Sequence, residues 1–328
     1  MVVGQGRGQG DRDRRVKGLR SRRGMRSLRE RFFQKGMDMA EARRPLKTGR
    51  EAVIEEFSRI AEKLLEKETL EELREKIERR KWRFYRYGYK EGRILDLGCG
   101  GGLDLLALYE ITEGRAELYG VDITEKALEL AERRAKRLGR EGIRFLKGDI
   151  TSLPFEEGFF DMVTVAWVLH HALEVELDRI FDEIKRVLRP GGTFLMLEPC
   201  EPPSTEGQWL RLELVDLRSK VELLAGRDFP RVHFTPQFTQ VYLRGKGFEL
   251  EALEVITPYV GMEGGSFEKE VEEIGELLSR LPPELRGHFQ GKLDFISRKI
   301  ELVGIGKGST LVVKALLAED GSEGEAAA

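Results

Sequence analysis

RILDLGCGGGLD, residues 93–104, sets a short apolar run bearing one aspartate against four glycines in five positions. So much backbone freedom is costly, and it is kept where a turn or a ligand must come close to the main chain. The segment therefore reads as a strand, Arg93 to Leu97, opening through a glycine-rich turn into a helix. Such a turn presents backbone N–H groups to a ligand. The dinucleotide pattern G-x-G-x-x-G fails here, because its third glycine falls on Leu103. What stands instead is Asp96-x-Gly98-x-Gly100-x-Gly102.

Outward from this segment, strands and helices alternate. AELYGVDI is a strand, Thr124 to Leu138 an amphipathic helix ending at Gly139, and IRFLKGDI and FFDMVTVAWV are strands. Leu173 to Leu188 reads as a helix stopped by Pro190-Gly191-Gly192, and TFLMLEP as the next strand. The rhythm predicts an α/β fold, doubly wound around a mostly parallel sheet. Upstream, Val53, Ile54, Phe57, Ile60, Ala61, Leu64 and Leu65 form one helical stripe. Thr69 caps a second helix with Glu71 and Glu72 in its first turn. Past Cys200 the rhythm changes. Helices are expected over Glu206–Ala225, Pro236–Arg244, Glu268–Arg280 and Pro283–Lys299, with strands at GFELEALEVI and STLVVKALL.

The ordered segments resemble the class I S-adenosylmethionine-dependent methyltransferases, in the small-molecule branch that includes the ubiquinone/menaquinone and phosphobase enzymes. Residues 93–104 resemble motif I, and YGVDIT, LKGDITSLPF, FDMVTVAWVLHH and IKRVLRPGGTFLMLE resemble the following strand tips in order. The resemblance covers about Tyr87 to Pro199. It implies a Rossmann-like methyltransferase fold, a mostly parallel seven-stranded sheet with helical cap additions, and S-adenosyl-L-methionine as cofactor. Asp122 would accept the ribose hydroxyls, with Ile123 as an apolar plate on the adenine. Asp149 would accept the adenine amino group, and the Ile150 N–H would donate to a ring nitrogen. Asp96 would face the methionine ammonium. Gly98, Cys99, Gly100 and Gly102 would follow the methionine end, and Ala166 would also belong to the cofactor site. Asp122 could instead cap the helix that follows, a role Thr124 also fills, and Asp149 could be a plain turn residue. Cys99 serves as a small, inert residue.

Methyl transfer from a sulfonium needs alignment and exclusion of water, and a base where the acceptor carries a proton. His170 and His171 are candidates. His170 aligns with a proton-handling histidine of the phosphobase relatives, although either ring could simply cap the turn or pack beneath the cofactor. Those relatives carry an acid just after strand 4, where this chain has Ala166 and Trp167. Glu198 could point into the acceptor pocket or be a solvated strand end. Cys200 reads as an inert thiol rather than a covalent nucleophile. Trp209, Phe229, Phe234, Phe238, Tyr259 and Phe267 either wall an acceptor pocket or pack the cap. Arg227, Arg231 and His233 could hold an anion.

The 328 residues divide as a basic disordered tail (1–50), an N-terminal helical segment (51–90), the cofactor core (91–200), a helical cap insertion (201–246), the last two strands with a second helical insertion (247–318) and an acidic tail (319–328). Residues 1–38 read as dispensable, with Met25, Met37 or Met39 as alternative starts. Lys+Arg 56 against Asp+Glu 58 names no charged partner. The Glu, Arg and Lys content suits a heat-adapted protein. Two cysteines, no zinc pattern, no secretory signal and no apolar run of membrane-spanning length point to a cytoplasmic protein without metal. The expected acceptor is a small molecule. The alternatives are an RNA or protein methyltransferase using Arg7–Arg31 and ERRKWRFYRYGYK, or a cofactor-binding protein without turnover.

Overall fold

The computed structural model describes residues 49–200, 203, 205–225, 232, 234–256, 267–306 and 308–319. The readings made for residues 1–48, for Arg227, Phe229, Arg231, His233 and Tyr259, and for the acidic tail from 320 onward lie outside them.

Two helices lead in, α1 (Gly49–Lys67) and α2 (Leu70–Tyr87). Thr69 caps α2 as expected. Its hydroxyl accepts from Glu72 N while the Glu72 carboxylate accepts from Thr69 N at 2.9 Å, a reciprocal capping box. The aromatic and basic stretch before the first strand continues α2 as far as Tyr87. Leu73, Ile77, Phe84 and Tyr87 recur on one face and are buried.

There follow β1 (Arg93–Leu97), α3 (Leu103–Ile111), β2 (Glu117–Asp122), α4 (Glu125–Leu138), β3 (Arg144–Lys147), β4 (Phe160–Ala166), α5 (Leu177–Val187) and β5 (Leu188–Cys200). Then come α6 (Glu206–Leu224), α7 (Pro236–Gly245), β6 (Phe248–Ile256), α8 (Phe267–Ser279), α9 (Pro283–Val303) and β7 (Ser309–Leu317). The seven strands form one sheet in the order β3-β2-β1-β4-β5-β7-β6. β1 to β5 run parallel and β7 runs antiparallel between β5 and β6. Strand order reverses between β1 and β4, and the carboxyl ends of β1, β2 and β4 meet at that switch point, where open α/β sheets take their ligands.

Both sheet faces are covered. Ile180, Phe181 and Ile184 of α5 pack on one, and Leu105, Leu106 and Leu108 of α3 with Phe84 of α2 pack on the other. A third apolar core lies apart from these. Leu210, Leu214 and Leu217 of α6 meet Ile274, Leu277 and Leu278 of α8 and Leu293, Ile296 and Ile300 of α9. The cap is thus a helical unit with its own interior. Phe234 joins the sheet core and Phe267 the cap core, whereas Trp209 and Phe238 are exposed.

One helix is shorter than its pattern. Residues 173–176 form a tight turn ahead of α5, because Glu176 Oε2 accepts from Leu173 N at 3.2 Å. At the far end, Leu188 leaves the helix to pair with Phe160.

Candidate functional site

A cleft open on one side lies over the carboxyl ends of β1, β2 and β4. Its floor is the glycine turn, and the four glycines there have different duties. Gly98 has φ +64°, and a methyl on it would lie 2.5 Å from a Val168 methyl, so the turn after β4 requires a bare backbone. Gly101 lies under Arg134, and Gly102 (φ +73°) lies against Ala131 and Phe145. Gly100, at φ +50°, meets nothing within 4 Å of an added Cβ. It is the glycine whose missing side chain leaves room in the cleft.

Asp122 ends β2 at the cleft wall. Its Oδ2 accepts from Gly100 N at 2.8 Å and its Oδ1 from Thr124 N at 2.7 Å. One carboxylate therefore fixes the glycine turn and starts α4. Burial raises its pKa above the usual aspartate range, and the two main-chain bonds only partly offset this. The Thr124 hydroxyl makes no capping bond. The Thr124 main-chain N–H donates instead to the Asp122 carboxylate two residues earlier, at 2.7 Å.

Asp149 lines the same cleft with Gly148 and Ile150. Its Oδ1 accepts from the Thr151 N–H and hydroxyl, each at 2.8 Å. Its Oδ2 accepts from Arg50 Nη1, and Arg50 Nη2 donates to Glu176 at 2.6 Å. Burial pushes Asp149 up, but the Thr151 bonds and the guanidinium outweigh it and hold the carboxyl below its ordinary range. The carboxylate expected to meet adenine is therefore bridged to α1. Val53 and Phe57 of α1 complete that side of the cleft.

The opposite wall is Trp167, Val168, His171, Ala172 and Ile180. Trp167 adopts φ +62°, a conformation rare for a bulky residue, and is held there by its N–H donating to Leu197 O at 2.8 Å. Strain of this kind is found where function holds it in place. Its indole is half-exposed on the cleft.

His171 faces the cleft with its ring edge-on to Phe57, centroids 5.5 Å apart. His170 turns away from it. His170 Nδ1 lies 2.8 Å from Glu198 Oε2, and Glu198 Oε1 accepts from Val168 N at 2.9 Å and Leu169 N at 2.7 Å. Glu198 is fully buried. The expectation that it points into an acceptor pocket is corrected: it straps the turn after β4. The contact with Glu198 fixes the orientation of the His170 ring through Nδ1.

Of the expected cofactor residues, Gly98, Gly100, Asp122, Ile123, Asp149 and Ile150 line the cleft. Asp96, Cys99, Gly102 and Ala166 do not. Asp96 is nearly buried beneath the turn, and burial together with the Asp104 charge raises it well above the aspartate range. Cys99 packs against Gly120, and burial with the nearby carboxylates pushes its thiol up, so it is unreactive. Cys200 is likewise buried. Among the described residues no cluster of His, Cys, Asp or Glu could hold a metal ion, and no helix is long and apolar enough to cross a membrane.

Arg50, Val53, Phe57, Trp167 and Glu176 were not foreseen at the site. The sequence places Val53 and Phe57 on one apolar stripe of a helix expected over the carboxyl edge of the sheet, without naming either as a cleft residue.

Residues 89–225 match the family model described as a methyltransferase domain. The chain is 41% identical over 111 residues to the demethylmenaquinone methyltransferase of Thermus thermophilus, covering 34% of this chain and 49% of that protein. It is 37% identical over 109 residues to the demethylmenaquinone methyltransferase of Lactococcus lactis, covering 33% and 42%. The chain thus spans less than half the length of these relatives. The crystal structure of the YcgJ protein of Bacillus subtilis superposes with a TM-score of 0.50 at 20% identity, covering 73% of this chain and 98% of that one. That likeness shows the shared Rossmann-like fold.

Proposed function

We propose that this chain, whose residues 89–225 match a methyltransferase domain, is a class I S-adenosylmethionine-dependent methyltransferase that transfers a methyl group to an oxygen, nitrogen or carbon of a small-molecule acceptor. The observation that carries this reading is the pairing of Gly100 with Asp122. An open, side-chain-free peptide and a carboxylate at the end of β2 lie together at the switch point of the sheet. S-adenosyl-L-methionine, when bound, supplies an activated methyl on a sulfonium, so the protein has mainly to align and to keep water out.

The residues present fit that cofactor. Asp122 would accept the ribose hydroxyls in charge-assisted bonds. Ile123, Val53 and Phe57 would sandwich the adenine, with Asp149 and Ile150 at its polar edge. The open main chain at Gly98 to Gly100 would follow the methionine end, with Asp96 beneath its ammonium. Helix α1 lies over the cleft and would shield the reacting groups. Where the acceptor carries a proton, its removal falls to the His170–His171 pair: His171 is on the cleft wall, and His170 is oriented by Glu198.

Residues 51–90 then serve as the cover, 91–200 as the cofactor core, and the insertions within 201–246 and 247–318 as the part that selects the acceptor. Two buried cysteines fit a reducing cytoplasm. The dense ion pairing around α1, α2 and α4 fits a heat-adapted source.

Calorimetric titration with S-adenosylmethionine tests the cofactor assignment. Asp122→Ala should weaken binding at least roughly tenfold, the loss of about 1.4 kcal/mol expected of charge-assisted bonds. Unchanged affinity would refute the ribose assignment. Labelled cofactor offered with separated metabolite and RNA fractions then identifies the acceptor class. Label appearing only in RNA would overturn the small-molecule reading. Wild-type rates in both His170→Ala and His171→Ala would remove the base assignment.

A further inference from the structure

Between α1 and α2 lies a buried acid with no part in the cleft. The Glu68 side chain is fully covered and accepts a two-pronged bond from Arg134 of α4, Nε at 2.8 Å and Nη2 at 2.6 Å. Lys76 Nζ adds a third donor at 2.7 Å, and Arg137 reaches the Glu68 carbonyl at 3.0 Å. Burial pushes the Glu68 carboxyl up, yet Arg134 and Lys76 prevail and hold it below the ordinary range. A buried, fully bonded ion pair of this kind is weak evidence for stability but strong evidence for a fixed geometry.

The remaining donor of the same guanidinium, Arg134 Nη1, is 2.8 Å from the carbonyl of Gly101. A side chain at Gly101 would start 2.2 Å from that nitrogen, so the glycine there is required by the arginine. The other end of the β2–α4 unit holds the same loop, since Asp122 accepts from Gly100 N at 2.8 Å. The Gly100–Gly101 stretch is thus gripped by its N–H from Asp122 and by its C=O from Arg134. Through Glu68 the second grip extends to the junction from which α1 runs back over the cleft.

We infer that Arg134 is a positioning residue that fixes the Gly100–Gly101 main chain for the cofactor and, through Glu68, couples occupancy of that loop to the seating of α1 over the cleft. This rests on the cofactor reading above. It assigns a defined task to an arginine within a charged helical run that otherwise reads as a solvated face. Binding of the cofactor and closure of the cover become one event, because the loop and the cover share one guanidinium.

The test uses the full chain. Arg134→Lys keeps the charge but loses the fork and the reach to Gly101. S-adenosylmethionine affinity should fall roughly tenfold, the scale of one charge-assisted bond. In wild type the cofactor should slow amide exchange both in residues 98–102 and in residues 49–67. In Arg134→Lys at saturating cofactor the loop should still respond and α1 should not. A structural role alone would not separate those two segments. Wild-type affinity with an undiminished α1 response would overturn the proposal.

Should the wild-type protein fail to bind the cofactor, the methyltransferase reading falls, and the clamp is then decided without ligand. Gly101→Ala should lower the melting midpoint in wild type and by no more than roughly half as much in an Arg134→Ala background, or in Arg134→Lys if the alanine variant does not fold. Equal losses in both backgrounds would show that Arg134 does not sit on the loop.

Discussion

Alanine at Gly98 and at Gly100 should have opposite consequences, although both positions are in the left-handed region. At Gly98 two costs add. A left-handed φ of +64° costs an L-residue roughly 1–2 kcal/mol. The new methyl would also lie 2.5 and 2.7 Å from the two Val168 methyls, an overpacking worth about 1–3 kcal/mol. The expected loss in ligand-free stability is about 2–5 kcal/mol. At Gly100 only the first cost applies, about 1–2 kcal/mol, because no atom lies within 4 Å of the new methyl. That methyl enters the cleft, so Gly100→Ala should lose more than roughly tenfold in cofactor affinity. Urea denaturation of both variants, followed by calorimetric titration, reads the two effects separately. Val168→Ala should recover part of the Gly98→Ala loss by clearing the overlap. Equal destabilisation of the two variants would refute the reasoning. So would a Val168→Ala change that only adds to the damage, or undiminished binding by Gly100→Ala.

Asp96 holds its proton to higher pH in the folded than in the unfolded chain, so its contribution to stability is present at low pH and is lost as pH rises. Asp96→Asn should therefore gain stability relative to wild type as pH rises, and wild-type cofactor affinity should increase over the same range if an ammonium draws off that proton. Pairs of melts and titrations across pH check both. Glu198→Ala strands two buried N–H groups and should cost about 2–5 kcal/mol in urea denaturation. Arg50→Met removes two half-exposed ion pairs and should change stability by less than about 1 kcal/mol while speeding cofactor release in stopped-flow. Because Arg50 lowers the Asp149 pKa, the wild type should also lose more stability than Arg50→Met as pH falls through that group.

The chain shows its local logic openly. Alternating strands and helices, the Thr69 cap and the glycine turn are legible because period and turn chemistry are properties of neighbouring residues. The misses depend on distant partners. Arg50 meets Asp149 across 99 positions, and Glu198 meets the turn after β4 across about 30. An acid at a strand end reads as solvated until the three hydrogens that surround it are known. Thr124 is a sound cap by type, yet its hydroxyl makes no capping bond, and its main chain is held by the Asp122 carboxylate two residues away. The turn ahead of α5 has helical spacing, but Glu176 divides its two oxygens between Leu173 and Arg50.

The last strand to be made is not the last in space. β7 inserts between β5 and β6, with Leu316 opposite both Thr193 and Glu249. Until residues 309–317 have left the ribosome, the edge of β5 stays open and β6 has no neighbour to pair with. The nascent chain therefore carries an incomplete sheet until β7 is made, and β5 and β6 are joined only then.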